Sequence, residues 1–186
     1  MRIIGGTLKS RKLSARVPPG TRPTSDRMRE TLFNILGRRV IESVFLDAYA
    51  GTGAVGIEAI SRGARFVHFV ERSGGAVAAI RSNLASLAVT GVYRILDMDL
   101  DPALRLCRRE SVRFDLVFLD PPYERQDLYS RDLACLGSEL VLARHAWVVA
   151  EHPRRLAMPE AAGVLRRSRT REQGTSAVSF YEAEGS

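Results

Sequence analysis

The chain has 186 residues, 45% of them hydrophobic, which fits one domain with a full core and leaves two domains cramped. No apolar run is long enough for a signal peptide or a membrane span, so a cytoplasmic protein with no membrane role is expected. The net charge of +7 is unevenly placed: residues 1–39 hold ten basic side chains against Asp26 and Glu30, residues 40–152 twelve against fifteen, and residues 153–186 six against four.

The chain opens on a basic arm. Ile3-Ile4-Gly5-Gly6 and the run 8–17 predict a small hairpin or extended segment, closed by Pro18-Pro19-Gly20. Met28, Leu32, Phe33, Ile35 and Leu36 then recur at helical spacing, with Thr24 or Ser25 as N-cap and Gly37 as the stop. Arg2, Lys9, Arg11, Lys12, Arg22, Arg27 and Arg29 make this region the expected footprint for a polyanion, because phosphate contacts supply most nonspecific nucleic-acid affinity.

From residue 44 the pattern alternates. Residues 44–46, 66–70, 92–96, 114–119 and 146–150 read as strands, with helices predicted over 53–62, 76–87, 102–109 and 128–142. Such alternation predicts a mostly parallel sheet covered on both faces. Two further runs, 164–170 and 177–181, are joined by Glu172-Gln173-Gly174-Thr175 with no helix between them, so the terminal strand should run antiparallel. The expectation is a Rossmann-like α/β domain over 41–186 with a seven-stranded sheet, preceded by a basic arm and helix over 1–40. Nicotinamide dehydrogenases, whose sheets are all parallel, are disfavoured.

Gly51-Thr52-Gly53-Ala54-Val55-Gly56 follows the first of these strands and opens a helix, and Glu71 lies 20 residues on, at the end of the second. The glycines permit a tight turn and close approach to a ligand, while the acid can accept both ribose hydroxyls. Asp47, before the loop, would repel a pyrophosphate and welcome a cationic amino-acid moiety. S-adenosylmethionine therefore fits better than a dinucleotide. Asp99 should lie near the adenine, with Asp97 as the other candidate.

Asp120-Pro121-Pro122-Tyr123 directly follows the 114–119 strand, and ligands of open α/β sheets bind beyond the carboxyl ends of strands. An aromatic amine is a poor nucleophile, because its lone pair is delocalised into the ring. The Asp120 carboxylate and the Pro121 carbonyl can accept its two hydrogens, the prolines fix the corner, and Tyr123 can stack on the base. The base must be unpaired or flipped out to reach it. Cys107 and Cys135 read as reduced thiols, and His68, His145 and His152 lack ligand spacing, so no metal is expected.

With these motifs in place the chain resembles the RsmD family of bacterial 16S rRNA guanine-N2 methyltransferases, whose target is guanine 966. The resemblance runs from Arg2-Ile3-Ile4-Gly5-Gly6 through Thr21-Arg22-Pro23-Thr24, Leu32-Phe33-Asn34-Ile35-Leu36 and Asp47-Ala48-Tyr49-Ala50-Gly51-Thr52-Gly53. It continues through Gly56-Ile57-Glu58-Ala59-Ile60-Ser61-Arg62-Gly63-Ala64 and Asp120-Pro121-Pro122-Tyr123 to Gly174-Thr175. The Asp-Pro-Pro-Tyr corner is shared with many amino methyltransferases, and Arg22-Pro23-Thr24 makes the likeness specific. It implies S-adenosylmethionine held by Asp47, Gly51, Thr52, Gly53, Glu71 and Asp99, with chemistry at Asp120 to Tyr123. It also implies a substrate of 16S rRNA within the small (30S) ribosomal subunit or its assembly intermediate, with ribosomal proteins as further contacts. A monomer is expected. The alternative reading is an adenine-N6 methyltransferase acting on DNA or RNA, against which stands the separate target-recognition domain that sequence-specific DNA enzymes usually need.

Overall fold

The computed structural model describes residues 1–13 and 26–184. The expected N-caps Thr24 and Ser25, and the candidate RNA contact Arg22, lie outside the described residues.

Five strands form the parallel part of the sheet: β1 (Val44–Ala48), β2 (Phe66–Val70), β3 (Tyr93–Leu96), β4 (Phe114–Leu119) and β5 (Leu142–Pro153). All five residues of β1 are buried, because this central strand is covered on both faces. Phe45, Phe69, Phe118 and Val149 pack toward α1 (Asp26–Leu36), α2 (Ala54–Ser61) and α3 (Gly74–Ser86). Leu46, Val117 and Val148 point to the other face, against Leu104 of α4 (Leu100–Arg109) and Leu133 of α5 (Asp127–Ser138). The two-residue period of the strands thus divides the core into two layers.

Beyond β5 the sheet changes direction. β8 (Ser176–Ala183) pairs antiparallel with β5, and β7 (Leu165–Gln173) pairs antiparallel with β8, giving the order β3-β2-β1-β4-β5-β8-β7-β6. This is the mostly parallel sheet with an antiparallel terminal strand that the sequence predicts, extended by a two-residue edge strand, β6 (Ala161–Ala162). Several boundaries move, two of them by four residues. α5 stops at Ser138, where Gly137 lies against the Ala162 backbone so closely that a Cβ would sit 2.1 Å from its oxygen. β5 starts at Leu142, before the predicted 146, because an irregular pairing with β4 and a positive φ of 60° at His145 interrupt the pattern without ending the strand.

The arm docks onto α2. Glu58, fully buried, accepts the backbone N–H of Ile4 and of Gly5, both at 2.8 Å, while Ser61 Oγ donates to Gly5 O and accepts the Leu8 N–H. Gly6 has φ 75°, and a Cβ there would fall 1.8 Å from Ser61 O, so the second glycine of the opening motif is a requirement of close packing. The arm folds back on itself through Ile3 N–H to Arg11 O and Ser10 N–H to Ile3 O.

Arg29 corrects one expectation. Its side chain is completely buried, with Nη2 donating to Arg2 O and to Asp26 Oδ1, each at 2.7 Å. It ties α1 to the arm and has no exposure with which to meet a phosphate. Arg2, Lys9, Arg11, Lys12 and Arg27 are exposed, and the Arg11 guanidinium also donates to Ser86 O.

Candidate active site

The carboxyl ends of β1, β2, β4 and β5 open into a cavity of about 750 Å³. Asp47, Gly51, Thr52, Glu71 and Asp99 line it, together with Asp120, Pro121, Pro122 and Tyr123. The two motifs, some 70 residues apart in sequence, therefore share one chamber, of a size ordinary for small-molecule sites. Gly53 does not line it. With φ 76°, Gly53 turns the chain into α2, and Gly56 lets that helix close on Phe69, where a Cβ would meet the ring at 2.3 Å. Asp99 reaches the cavity and Asp97 does not. The Asp99 carboxylate is exposed and touches Arg72 only at 3.4 Å.

At the glycine loop, carboxylates hold backbone N–H groups. Glu71 Oε2 accepts from Gly51 N at 2.9 Å and Oε1 from Ser73 N at 2.8 Å. Each oxygen keeps a lone pair, so the carboxylate can still accept two hydroxyls. Asp47 Oδ2 accepts the Gly56 N–H at 2.8 Å, which pins the first turn of α2. Burial pushes the Asp47 carboxyl up to about 8; the Gly56 N–H opposes this and the neighbouring Glu71 charge adds to it. A cation placed beside this pair would relieve both effects.

The other end is held by hydroxyls. Tyr123 Oη lies 2.7 Å from Ser176 Oγ, at the start of β8, so the ring is steered from the terminal hairpin. Tyr129, buried on α5, donates to Pro121 O at 3.5 Å, a long bond that leaves this carbonyl able to accept another donor. Tyr49 has the left-handed φ of 62°, and its hydroxyl donates to the buried Asp132 carboxylate at 2.5 Å. Burial and that hydrogen bond push the Tyr49 hydroxyl up, so it stays a donor; burial also raises Asp132, against the pull of Tyr49 and Arg131. The link joins the β1 loop to α5 across the chamber.

Several lining residues have no place in the sequence reading. Tyr49 stands in the motif beside Gly51 but was assigned no role, and Met98, Arg125 and Arg131 come from loops and α5. Glu151 is also in the wall, buried near the carboxyl end of β5. The rule that places ligands beyond strand ends points to it, because Glu151 directly follows the predicted 146–150 strand just as Asp120 follows 114–119. Among the described residues no cluster of ligating side chains could hold a metal ion. No described helix is long and apolar enough to cross a membrane.

A family described as Conserved hypothetical protein 95 matches residues 1–182. The Bacillus subtilis protein YlbH is 36% identical over 185 residues, covering 100% of both chains. Ribosomal RNA small subunit methyltransferase D of Escherichia coli K12 is 33% identical over 184 residues, 99% of this chain and 90% of that protein. The solved structure of the Escherichia coli yhhF protein superposes with a TM-score of 0.83 at 32% identity, covering 100% of this chain and 99% of the other.

Proposed function

We propose that this chain, which belongs to the RsmD family, transfers a methyl group from S-adenosylmethionine to the exocyclic N2 amine of a guanine in 16S rRNA of the small ribosomal subunit. The observation that carries the reading is the single cavity lined by the Gly51 loop, Glu71 and the Asp120-Pro121-Pro122-Tyr123 corner. The donor end suits this molecule: Glu71 has lone pairs for two ribose hydroxyls, Asp47 adjoins the space for an ammonium group, and Met98 and Leu100 offer apolar cover beside Asp99 for a base. When bound, S-adenosylmethionine supplies an electrophilic methyl carbon on a sulfonium.

The residues of the corner then have separate tasks. The Asp120 carboxylate and Pro121 carbonyl accept the two amine hydrogens, which aims the nitrogen lone pair and stabilises the positive charge that develops on it. The Tyr123 ring, steered by Ser176, stacks on the purine. Asp120 is placed to receive the proton lost from the nitrogen after the N–C bond forms and the S–C bond breaks, with solvent as the other route. The exposed cations of the arm supply phosphate affinity, and Met1 brings the arm to the cavity wall.

Asp120→Ala is expected to abolish transfer, by roughly a thousandfold or more as for loss of a key electrostatic group, while donor affinity stays within a few-fold. The measurement is nucleoside mass spectrometry of unmethylated small subunits, free 16S rRNA and DNA after incubation with S-adenosylmethionine. N2-methylguanosine appearing mainly in the subunits supports the reading. N6-methyladenine, or donor affinity collapsing with turnover intact in the variant, overturns it.

A further inference from the structure

The terminal hairpin carries a charge pattern that the arm does not explain. Residues 153–173 hold six arginines and two glutamates. At the end of β7 remote from the cavity, Arg166 pairs with Glu184 and Arg167 with Glu160, while Arg169 lies over the Trp147 and Phe180 rings at 5.2 and 4.7 Å. At the cavity end the arrangement reverses. Arg155 and Arg171 are exposed and have no ion pair among the described residues, and Arg154 meets only the exposed Glu172, at 3.8 Å. Compensation of charge is thus closer in the half of the strand that faces away from the site, and at the cavity end it is limited to the long Arg154–Glu172 pair.

Pairing fixes where these cations sit. Glu151, in the cavity wall, is paired with Val178, and Val178 with Arg171, so Arg171 stands two strands from the cavity at the same level, about 10 Å away at ordinary strand spacing. Arg171 lines a small pocket with Met28, Thr31 and Leu32 of α1, which places it near the helix that bears Arg27. Arg154 N–H donates to Thr175 O at the hairpin tip, and Ser176 follows, with its hydroxyl on Tyr123. A polyanion lying on this surface would touch the element that steers the ring in the catalytic corner.

Building on the methyltransferase reading, we infer that Arg154, Arg155 and Arg171 form a second phosphate-binding surface, which holds the RNA strand flanking the target base and acts together with the basic arm. Structured RNA fits better than an acidic protein segment, because the cations are spaced along a strand edge and a turn with no apolar anchor among them. Arg171 lies at the level of the cavity wall, and a strand with one base turned inward must run past the cavity mouth.

The test compares Arg155→Ala/Arg171→Ala with Arg166→Ala/Arg167→Ala in the full chain, measuring binding to unmethylated small ribosomal subunits over a range of KCl. S-adenosylhomocysteine titration checks that the donor site is intact. For the first variant, affinity should fall roughly tenfold or more near 0.1 M salt, and the log-log salt slope should lose roughly 0.7 to 0.9 per phosphate contact removed. The second variant should keep both. Equal loss in the two variants, an unchanged salt slope, or parental binding by the first variant overturns the surface, and a weakening without a slope change assigns it to a protein contact instead. If the parent protein neither binds nor methylates the subunits, the methyltransferase reading fails first; if it does both and the variants match it, only the surface fails.

Discussion

The two ends of the cavity are built by different means. At the end proposed for the donor, side-chain carboxylates hold backbone N–H groups over short separations: Glu71 to Gly51 across 20 residues and Asp47 to Gly56 across nine. At the end proposed for the acceptor, hydroxyls join elements that are far apart in the chain, Tyr49 to Asp132 across 83 residues and Tyr123 to Ser176 across 53. The contacts at the first end lie within the segment from β1 to the end of β2, whereas those at the second need α5 and the terminal hairpin. Changes at the first should therefore appear in donor affinity, and changes at the second in turnover of the nucleic acid.

The largest expected effect on donor affinity comes from Glu71→Ala. It removes the acceptor of two backbone N–H groups, and in the proposed complex the acceptor of two ribose hydroxyls as well. Charge-assisted hydrogen bonds are worth about 1.5–3 kcal/mol each. A loss of roughly a hundredfold in S-adenosylhomocysteine affinity by calorimetry is the expected result. Affinity within a few-fold of the parent would show that Glu71 serves only the loop, and the contrast between the ends would lose its donor half.

The same contrast explains what was legible in the sequence. Gly51 to Gly56, Glu71 and the Asp120 corner carry their meaning in local spacing, because the glycine conformations and strand ends they depend on are set by neighbours in the chain. Tyr49 and Ser176 carry no such signal, since each acquires a role through a partner that only the folded topology brings near. Arg29 was misassigned for a related reason. Arg27, two residues before it, is an exposed cation, but the position of Arg29 on α1 points inward, toward the Arg2 carbonyl. The long β5 was missed at its start because the positive φ at His145 breaks an alternation that the strand then resumes.

Asp47 gives the donor end a pH signature. An acid raised from 3.8 to about 8 on folding contributes stability that is present in full below pH 3.8 and is lost as pH rises through about 8. Donor binding has the opposite sign, because a cationic moiety beside Asp47 favours the carboxylate and so releases a proton. Apparent affinity should climb by up to about tenfold per pH unit between pH 6 and 8 and level off above that. Titrations in buffers of different ionisation enthalpy would record the proton release, and Asp47→Asn should remove it. A flat profile in the parent would separate Asp47 from the donor altogether.

The smallest effect tests the acceptor end most directly. Ser176→Ala removes one hydroxyl 2.7 Å from Tyr123 Oη and leaves the ring in place. A neutral hydrogen bond contributes about 0.5–1.5 kcal/mol, so turnover on small subunits should fall by roughly two- to tenfold. Tyr123→Phe should cost about the same, and the double variant little more than either single one, because both remove the same contact. Donor affinity should not move in any of the three. Additive losses would mean that the two residues act separately on the substrate, and a change in donor affinity would mean that the hairpin reaches through the corner to the glycine loop. Non-additive loss confined to turnover would show that ring orientation, and not mere presence of the ring, is what β8 contributes.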